Sequence, residues 1–172
     1  MRESESDRAG LIDLCKSINS RRNIKSMVEI GTYKGDSARI FHEMFDTSMI
    51  YCIDPWVSGY DDNDVASKSD MRQIEQEFDY KTAILPRIIK LKGTSCDIKG
   101  LYDLQSIELA YIDGCHRYLS VCSDLRFWHK RVTLAIAGHD YVVHWPEVIL
   151  AVDEIIGKPD EIFKDGSWLK WV

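Results

Sequence analysis

Short apolar runs alternate with amphipathic stretches along this chain, and that alternation admits few folds other than a parallel sheet covered by helices. Ser26-Met-Val-Glu-Ile-Gly31, Met49-Ile-Tyr-Cys-Ile53, Ile88-Ile-Lys-Leu91, Leu109-Ala-Tyr-Ile112 and Val132-Thr-Leu-Ala-Ile136 have the character of buried strands. Between them the apolar period lengthens to that of a helix. The spacing predicts helices over about 36–45, over a stretch ending near 83, over 97–104, and over 117–130 with Leu119, Cys122, Leu125 and Phe127 partly inward. A short leading helix over 10–19 puts Leu11, Ile12, Leu14, Cys15 and Ile18 on one face. Pro146 suits the first position of a last helix, and Gly157 suits its stop. An Asp165-Gly166 turn joins Glu161–Lys164 to Trp168–Val172, which predicts a closing hairpin. Helical crossovers between parallel strands are right-handed and cover both faces of the sheet. The expected fold is therefore a single α/β domain over residues 1–172. It is a doubly wound, Rossmann-like, mostly parallel seven-stranded sheet with a C-terminal antiparallel hairpin.

Charge narrows the range of partners. The 172 residues carry 22 Lys and Arg against 28 Asp and Glu, a net charge of -6, and no basic run. Nucleic-acid binding needs a basic footprint to displace counterions, so no nucleic-acid partner is expected. No run approaches the roughly 20 apolar residues that span a bilayer, and the charged start Met1–Arg8 lacks the apolar middle of a signal peptide. Five cysteines without a Cys-x-x-Cys pair suit reduced thiols, so the expected compartment is the cytoplasm, with no membrane partner. Trp128, Trp145, Trp168 and Trp171 lie among apolar neighbours and read as core packing or as the contact of a homo-oligomer.

Open α/β sheets bind ligands beyond the carboxyl ends of their strands. The first strand runs into Glu29-x-Gly31-x-x-x-Gly35, and the second ends in Asp54, 19 residues after Gly35. Gly31 permits a tight turn, Gly35 a close approach of backbone to ligand, and Asp54 can accept hydrogen bonds from ribose hydroxyls. The plain alternative is that both glycines serve turns and Asp54 caps one. A dinucleotide site would need Gly-x-Gly-x-x-Gly, but Tyr33 occupies the middle glycine's place. The Thr32-Tyr33-Lys34 bulge better suits a ligand with an amino-acid end, whose ammonium Glu29 can hold directly or through water. Lys92-Gly-Thr-Ser95 follows the third strand, where Thr94 or Ser95 would serve a helix cap, a ligand contact, or both. Residues 55–66 form an acidic loop whose Asp61-Asp62-Asn63-Asp64 run lacks the Gly and distal Glu of a calcium loop and reads as solvated.

Val28-Glu-Ile-Gly-Thr-Tyr-Lys-Gly35, Cys52-Ile-Asp-Pro-Trp56, Tyr111-Ile-Asp-Gly-Cys-His-Arg-Tyr118 and Ala137-Gly-His-Asp-Tyr141 together resemble the class I S-adenosylmethionine-dependent methyltransferases. Within them, the chain is most similar to a small bacterial and phage group marked by Asp-Gly-x-His-x-Tyr. The resemblance spans about residues 26–156. It implies that Glu29, Gly31 and Gly35 line the methionine part of S-adenosyl-L-methionine and that Thr32, Tyr33 and Trp56 also contact the cofactor. It places the ribose at Asp54, the adenine near Thr94 and Ser95, and Asp113 between methionine and substrate. Trp56 and Tyr60 would cover the cofactor or the acceptor.

A polar cluster is expected over the fourth and fifth strands, where Asp113, His116, His139 and Asp140 follow neighbouring strand ends. Asp113, His139 and Asp140 can hold a divalent metal, Mg²⁺ or Mn²⁺, as acidic residues do at these strand ends in related sugar and catechol O-methyltransferases. His139 stands where an acid or amide would be expected, which tilts the choice toward Mn²⁺ or a softer metal. Asp113 and His116 are the catalytic candidates, His116 as the base that takes the acceptor's proton. The plain alternative is that both histidines hydrogen-bond loop backbone. The expected activity is methyl transfer from S-adenosylmethionine to a hydroxyl of a small-molecule or sugar acceptor. A noncatalytic S-adenosylmethionine-binding subunit and an NAD-type oxidoreductase are the alternatives.

Overall fold

A computed structural model describes residues 9–96 and 107–172. Seven strands form one sheet: β1 (Ser26–Ile30), β2 (Met49–Asp54), β3 (Ile88–Lys92), β4 (Ile107–Ile112), β5 (Val132–Gly138), β6 (Glu161–Ile162) and β7 (Trp168–Trp171). Their spatial order is β3-β2-β1-β4-β5-β7-β6. β1 pairs in parallel with β2 and β4, β2 with β3, and β4 with β5; β7 runs antiparallel to β5 and β6. The doubly wound sheet and closing antiparallel hairpin are thus observed.

Among the described residues, five helices cover the sheet: α1 (Ala9–Arg21), α2 (Asp36–Met44), α3 (Met71–Thr82), α4 (Tyr118–Trp128) and α5 (Pro146–Ile155). Alternation along the strands splits the core in two. Leu109 and Tyr111 of β4 pack with Leu14, Ile18, Phe41 and Phe78 under α1–α3. Ala110 and Ile112 pack with Val121, Leu125, Trp128 and Val152 under α4 and α5. Leu119 departs from expectation: it is 77% exposed, because α4 turns Val121, Cys122 and Leu125 to the sheet and leaves Leu119 at the rim. Cys15, Cys52 and Cys122 are buried, and among the described residues no disulfide joins any of the five cysteines.

The helix expected to end near 83 begins only at Met71, where Asp70 accepts from the N–H groups of Arg72 and Gln73. A single 3₁₀ turn, Ala66–Lys68, precedes it. The helix expected over 97–104 lies outside the described residues. Among the described residues, no helix is long and apolar enough to cross a membrane.

Connectivity reverses between β1 and β4, which opens a crevice at their carboxyl ends. There Gly31 has φ 84°, and a Cβ on it would stand 2.0 Å from the Asp113 carbonyl oxygen. Only glycine lets the turn after β1 lie against the end of β4.

Candidate functional site

Two cavities meet over that crevice, sharing Gly31, Tyr33 and Asp113 in their walls. The larger, of about 470 Å³, has Ile30, Ile53, Met71 and Leu119 among its apolar lining, with Asp54, Thr94, Ser95 and Asp124 as polar groups. The smaller, of about 220 Å³, is lined by Thr32, Lys34, Asp36, Ser37, Tyr111, His139 and Asp165, among others. The cleft therefore has one end suited to a flat apolar body and another suited to charge.

Asp54 ends β2 and is fixed by two backbone donors: the Tyr33 N–H reaches Oδ2 at 2.9 Å and the Trp56 N–H reaches Oδ1 at 2.7 Å. Tyr33 and Trp56 take left-handed φ of 47° and 46° to aim those groups. Burial raises the Asp54 carboxyl above its ordinary value, partly offset by these bonds. Each carboxylate oxygen keeps a second lone pair for a ligand hydroxyl.

Several candidates serve the loop more directly than the cavity. Glu29 is fully buried and accepts from Thr32 Oγ1 at 2.8 Å and from Ser37 Oγ. It ties the turn after β1 to the start of α2, and burial pushes its carboxyl up to about 7. Gly35 has φ 77°, and a Cβ there would meet Phe78 of α3 at 2.8 Å, so its smallness serves helix packing. Trp56 is turned inward: its ring packs on Phe78 and its Nε1–H donates to the Tyr33 carbonyl at 3.0 Å. Tyr60 reaches the larger cavity, and its hydroxyl donates to Asp64.

The strand ends of β4 and β5 bring Asp113, His139 and Asp140 together, with one ligand atom from each lying within 4.8 Å of the others. Asp140 Oδ2 stands 2.9 Å from His116 Nε2 and 3.3 Å from His139 Nδ1; Asp113 Oδ1 lies 3.9 Å from His139 Nδ1. Burial works against charge on these histidines, yet the bonds to Asp140 outweigh it and raise both, His139 to about 9. Burial likewise pushes Asp140 up, but the two imidazoles overcome that and hold it well below the usual carboxylate range. His139 opens onto the smaller cavity, whereas His116 lines neither large one. His116 is sandwiched instead: its ring stacks on Trp145 at 4.0 Å, and Asp61 Oδ2 stands 3.7 Å from its buried Nδ1.

Asp62 and Asn63 of the acidic loop are exposed, as expected of a solvated run, but Asp61 is not. Asp61 is 1% exposed, with Arg117 Nε 3.8 Å away, because the loop folds onto residues 115–117. Trp145 packs against the core under α4 and α5, as expected, and also forms the platform under His116. Asp124 is the site residue that sequence reasoning missed; its only trace there is the polar set Ser120, Ser123 and Asp124 beside the inward Cys122 and Leu125.

A family model described as a methyltransferase domain matches residues 28–141, more than half of the chain. No curated protein matches the chain. Among solved structures, the chain is similar to a Staphylococcus aureus protein provisionally described as a caffeoyl-CoA O-methyltransferase, at TM-score 0.67 and 14% identity, covering 94% of this chain and 82% of that one. It is also similar to the Streptomyces achromogenes O-methyltransferase TomG in complex with S-adenosylmethionine, at TM-score 0.65 and 12% identity, covering 94% and 78%. The S-adenosylhomocysteine-bound Podospora anserina methyltransferase PaMTH1 aligns at TM-score 0.61 and 15% identity, covering 99% and 83%.

Proposed function

The chain belongs to the methyltransferase-domain family, and on that premise we propose that it transfers a methyl group from S-adenosylmethionine to a hydroxyl of a small-molecule or sugar acceptor, with a divalent cation at Asp113, His139 and Asp140. The observation that carries this reading is the two-ended cleft at the β1–β4 switch point. Its apolar end holds Asp54, and its polar end holds Asp113 and His139, with Asp140 directly behind them.

The residues fit the cofactor. Asp54 is held by two backbone N–H groups yet keeps acceptor capacity for a ribose diol. The apolar walls suit a nucleobase, with Thr94 and Ser95 at its edge. Gly31 keeps the floor of the cleft free of side chain where the two cavities join. Bound S-adenosylmethionine supplies an electrophilic methyl on sulfur, and methyl transfer is an in-line displacement, so the protein's part is positioning and proton removal.

The donor set also suits Mg²⁺ or Mn²⁺, two carboxylates with one imidazole. A bound divalent ion lowers the pKa of an acceptor hydroxyl. His139 carries a proton near neutrality through its pairing with Asp140 and Asp113, and ligation through Nδ1 releases that proton. Asp113 and His139 face the cleft, and of the two the Asp113 carboxylate is the group that can take an acceptor's proton, since the imidazole is either protonated or engaged. His116 acts through Asp140, holding that carboxylate in place from the side away from the cleft.

Calorimetry with S-adenosylhomocysteine and with NAD tests the first step. Saturable binding of the former alone, weakened by Asp54→Ala, is the expected result, and its absence overturns the reading. Manganese-dependent methylation of hydroxyl acceptors, lost on chelation, tests the second. Binding without turnover on any acceptor would mark a noncatalytic subunit.

A further inference from the structure

The chain between β2 and α3 folds into a compact loop over residues 59–67. Within it the Gly59 N–H donates to the Ser67 carbonyl at 2.8 Å, the Ser67 hydroxyl to the Asp61 carbonyl at 2.5 Å, and the Tyr60 hydroxyl to Asp64 at 2.8 Å. The polar ties that hold this loop to the body run through residues 115–117. The Cys115 thiol donates to the Tyr60 carbonyl at 3.5 Å, and Arg117 pairs with Asp62 at 2.9 Å. Tyr60 and Cys115 both line the larger cavity, so the loop straps across its wall. Beside that strap two buried polar atoms fall short of each other. His116 Nδ1 is buried without a hydrogen bond and faces Asp61 Oδ2 at 3.7 Å. Asp61 Oδ1 is satisfied by the Asn63 N–H at 3.0 Å, whereas among the described residues only the Cys115 thiol, at 4.0 Å, serves Oδ2. A charge-assisted N–H···O bond spans about 2.8 Å, so this pair stands about 1 Å short of one. A buried polar group left unpaired costs about 1–3 kcal/mol, which favours closing the gap.

We propose that Asp61 is a positioning residue: with S-adenosylmethionine in the larger cavity, loop 59–67 closes on residues 115–117 and Asp61 Oδ2 accepts a hydrogen bond from His116 Nδ1. This rests on the S-adenosylmethionine reading above and says how occupancy of the apolar end reaches the polar end. A ligand in the cavity gives the Tyr60 ring a surface that only the closed loop can pack on, and such a differential contact is what shifts a loop. The new bond fixes an imidazole that already stacks on Trp145. Its Nε2, 2.9 Å from Asp140 Oδ2, then holds that carboxylate toward Asp113 and His139. Hydrogen bonds of this kind tighten once the ligand is in place.

The test uses the full chain with and without saturating S-adenosylhomocysteine. Trypsin cleavage after Lys68, an exposed residue beside the loop, is followed by mass spectrometry. The His116 Nδ1 proton is followed by NMR in protein labelled with ¹⁵N-histidine. In the wild type the ligand should slow cleavage by about tenfold or more and protect the Nδ1 proton from exchange with water. Asp61→Ala should be cleaved within about twofold of the wild type when no ligand is present, because the bond is not yet made there. With ligand, its protection should fall to about threefold or less, and S-adenosylhomocysteine should dissociate faster. An Asp61 that served only to build the loop would speed cleavage equally with and without ligand, and that result overturns the proposal. If the variant does not fold, the wild type decides. Binding of S-adenosylhomocysteine with neither protection nor a slowly exchanging Nδ1 proton overturns the proposal and leaves the cofactor reading intact. Failure of the wild type to bind overturns both.

Discussion

Glu29→Gln isolates the energetic consequence of burying a carboxyl beneath the cofactor loop. The side chain is fully buried and receives the Thr32 and Ser37 hydroxyls. Burial raises its pKa from an ordinary 4.5 to about 7, more than those bonds lower it. The folded state thus holds this proton more tightly than the unfolded chain does. The associated stability is complete below pH 4.5 and is lost as pH rises through about 7. At about 1.36 kcal/mol per pH unit, that interval is worth roughly 3 kcal/mol. Glutamine keeps the shape and an accepting oxygen but carries no charge at any pH, so its stability lacks this term. Urea unfolding of both proteins should give curves within about 1 kcal/mol of each other at pH 5. By pH 8.5 the variant should be the more stable by roughly 3 kcal/mol, or about 6–12 °C in Tm for a chain of this size. Groups that titrate alike in both proteins cancel in the difference. A difference that stays flat from pH 5 to 8.5, or a variant that loses ground as pH rises, would refute the reasoning.

Gly31→Ala must force a Cβ to within 2.0 Å of the Asp113 carbonyl at φ 84°, so the variant should lose about 3 kcal/mol or more in urea unfolding and bind S-adenosylhomocysteine poorly. Asp140→Asn should drop the His139 pKa from about 9 toward 6.5, read by NMR titration. The stability linked to that proton is full below pH 6.5 and lost as pH rises through 9, so the variant should be weaker by roughly 2–3 kcal/mol at pH 6 and by little at pH 10. Asp113→Ala should lower Mn²⁺ affinity, measured by electron paramagnetic resonance, by about tenfold or more, with thermal unfolding little changed; an unaltered affinity removes Asp113 from the ligand set.

The strand-end position of Asp54 was readable because strand, helix and strand occupy a fixed length of chain, which puts the acidic residue at the mouth of the sheet. The grouping of Asp113 with His139 and Asp140 was readable for a similar reason, since β4 and β5 are neighbours in a doubly wound order. Side-chain direction was less accessible. Trp56 looked like a cover for the cleft, but a left-handed φ of 46° turns it inward against Phe78. Leu119 read as partly inward because a helical period leaves the phase uncertain by a residue, and it stands at the rim.

Local pattern by itself determined the order of strands and helices and the glycine that the turn after β1 demands, because periodicity and φ are properties of neighbouring residues. Contacts between segments far apart in the chain were decided only on folding. Asp61 meets His116 across 55 positions, Trp145 comes to lie under the same ring, and Ser95 orients Asp124 from another element. Such contacts follow from how loops close over the sheet. Burial then raises the carboxyls of Glu29 and Asp124, and pairing with Asp140 raises His139 against its burial, through surroundings that no short stretch of chain contains.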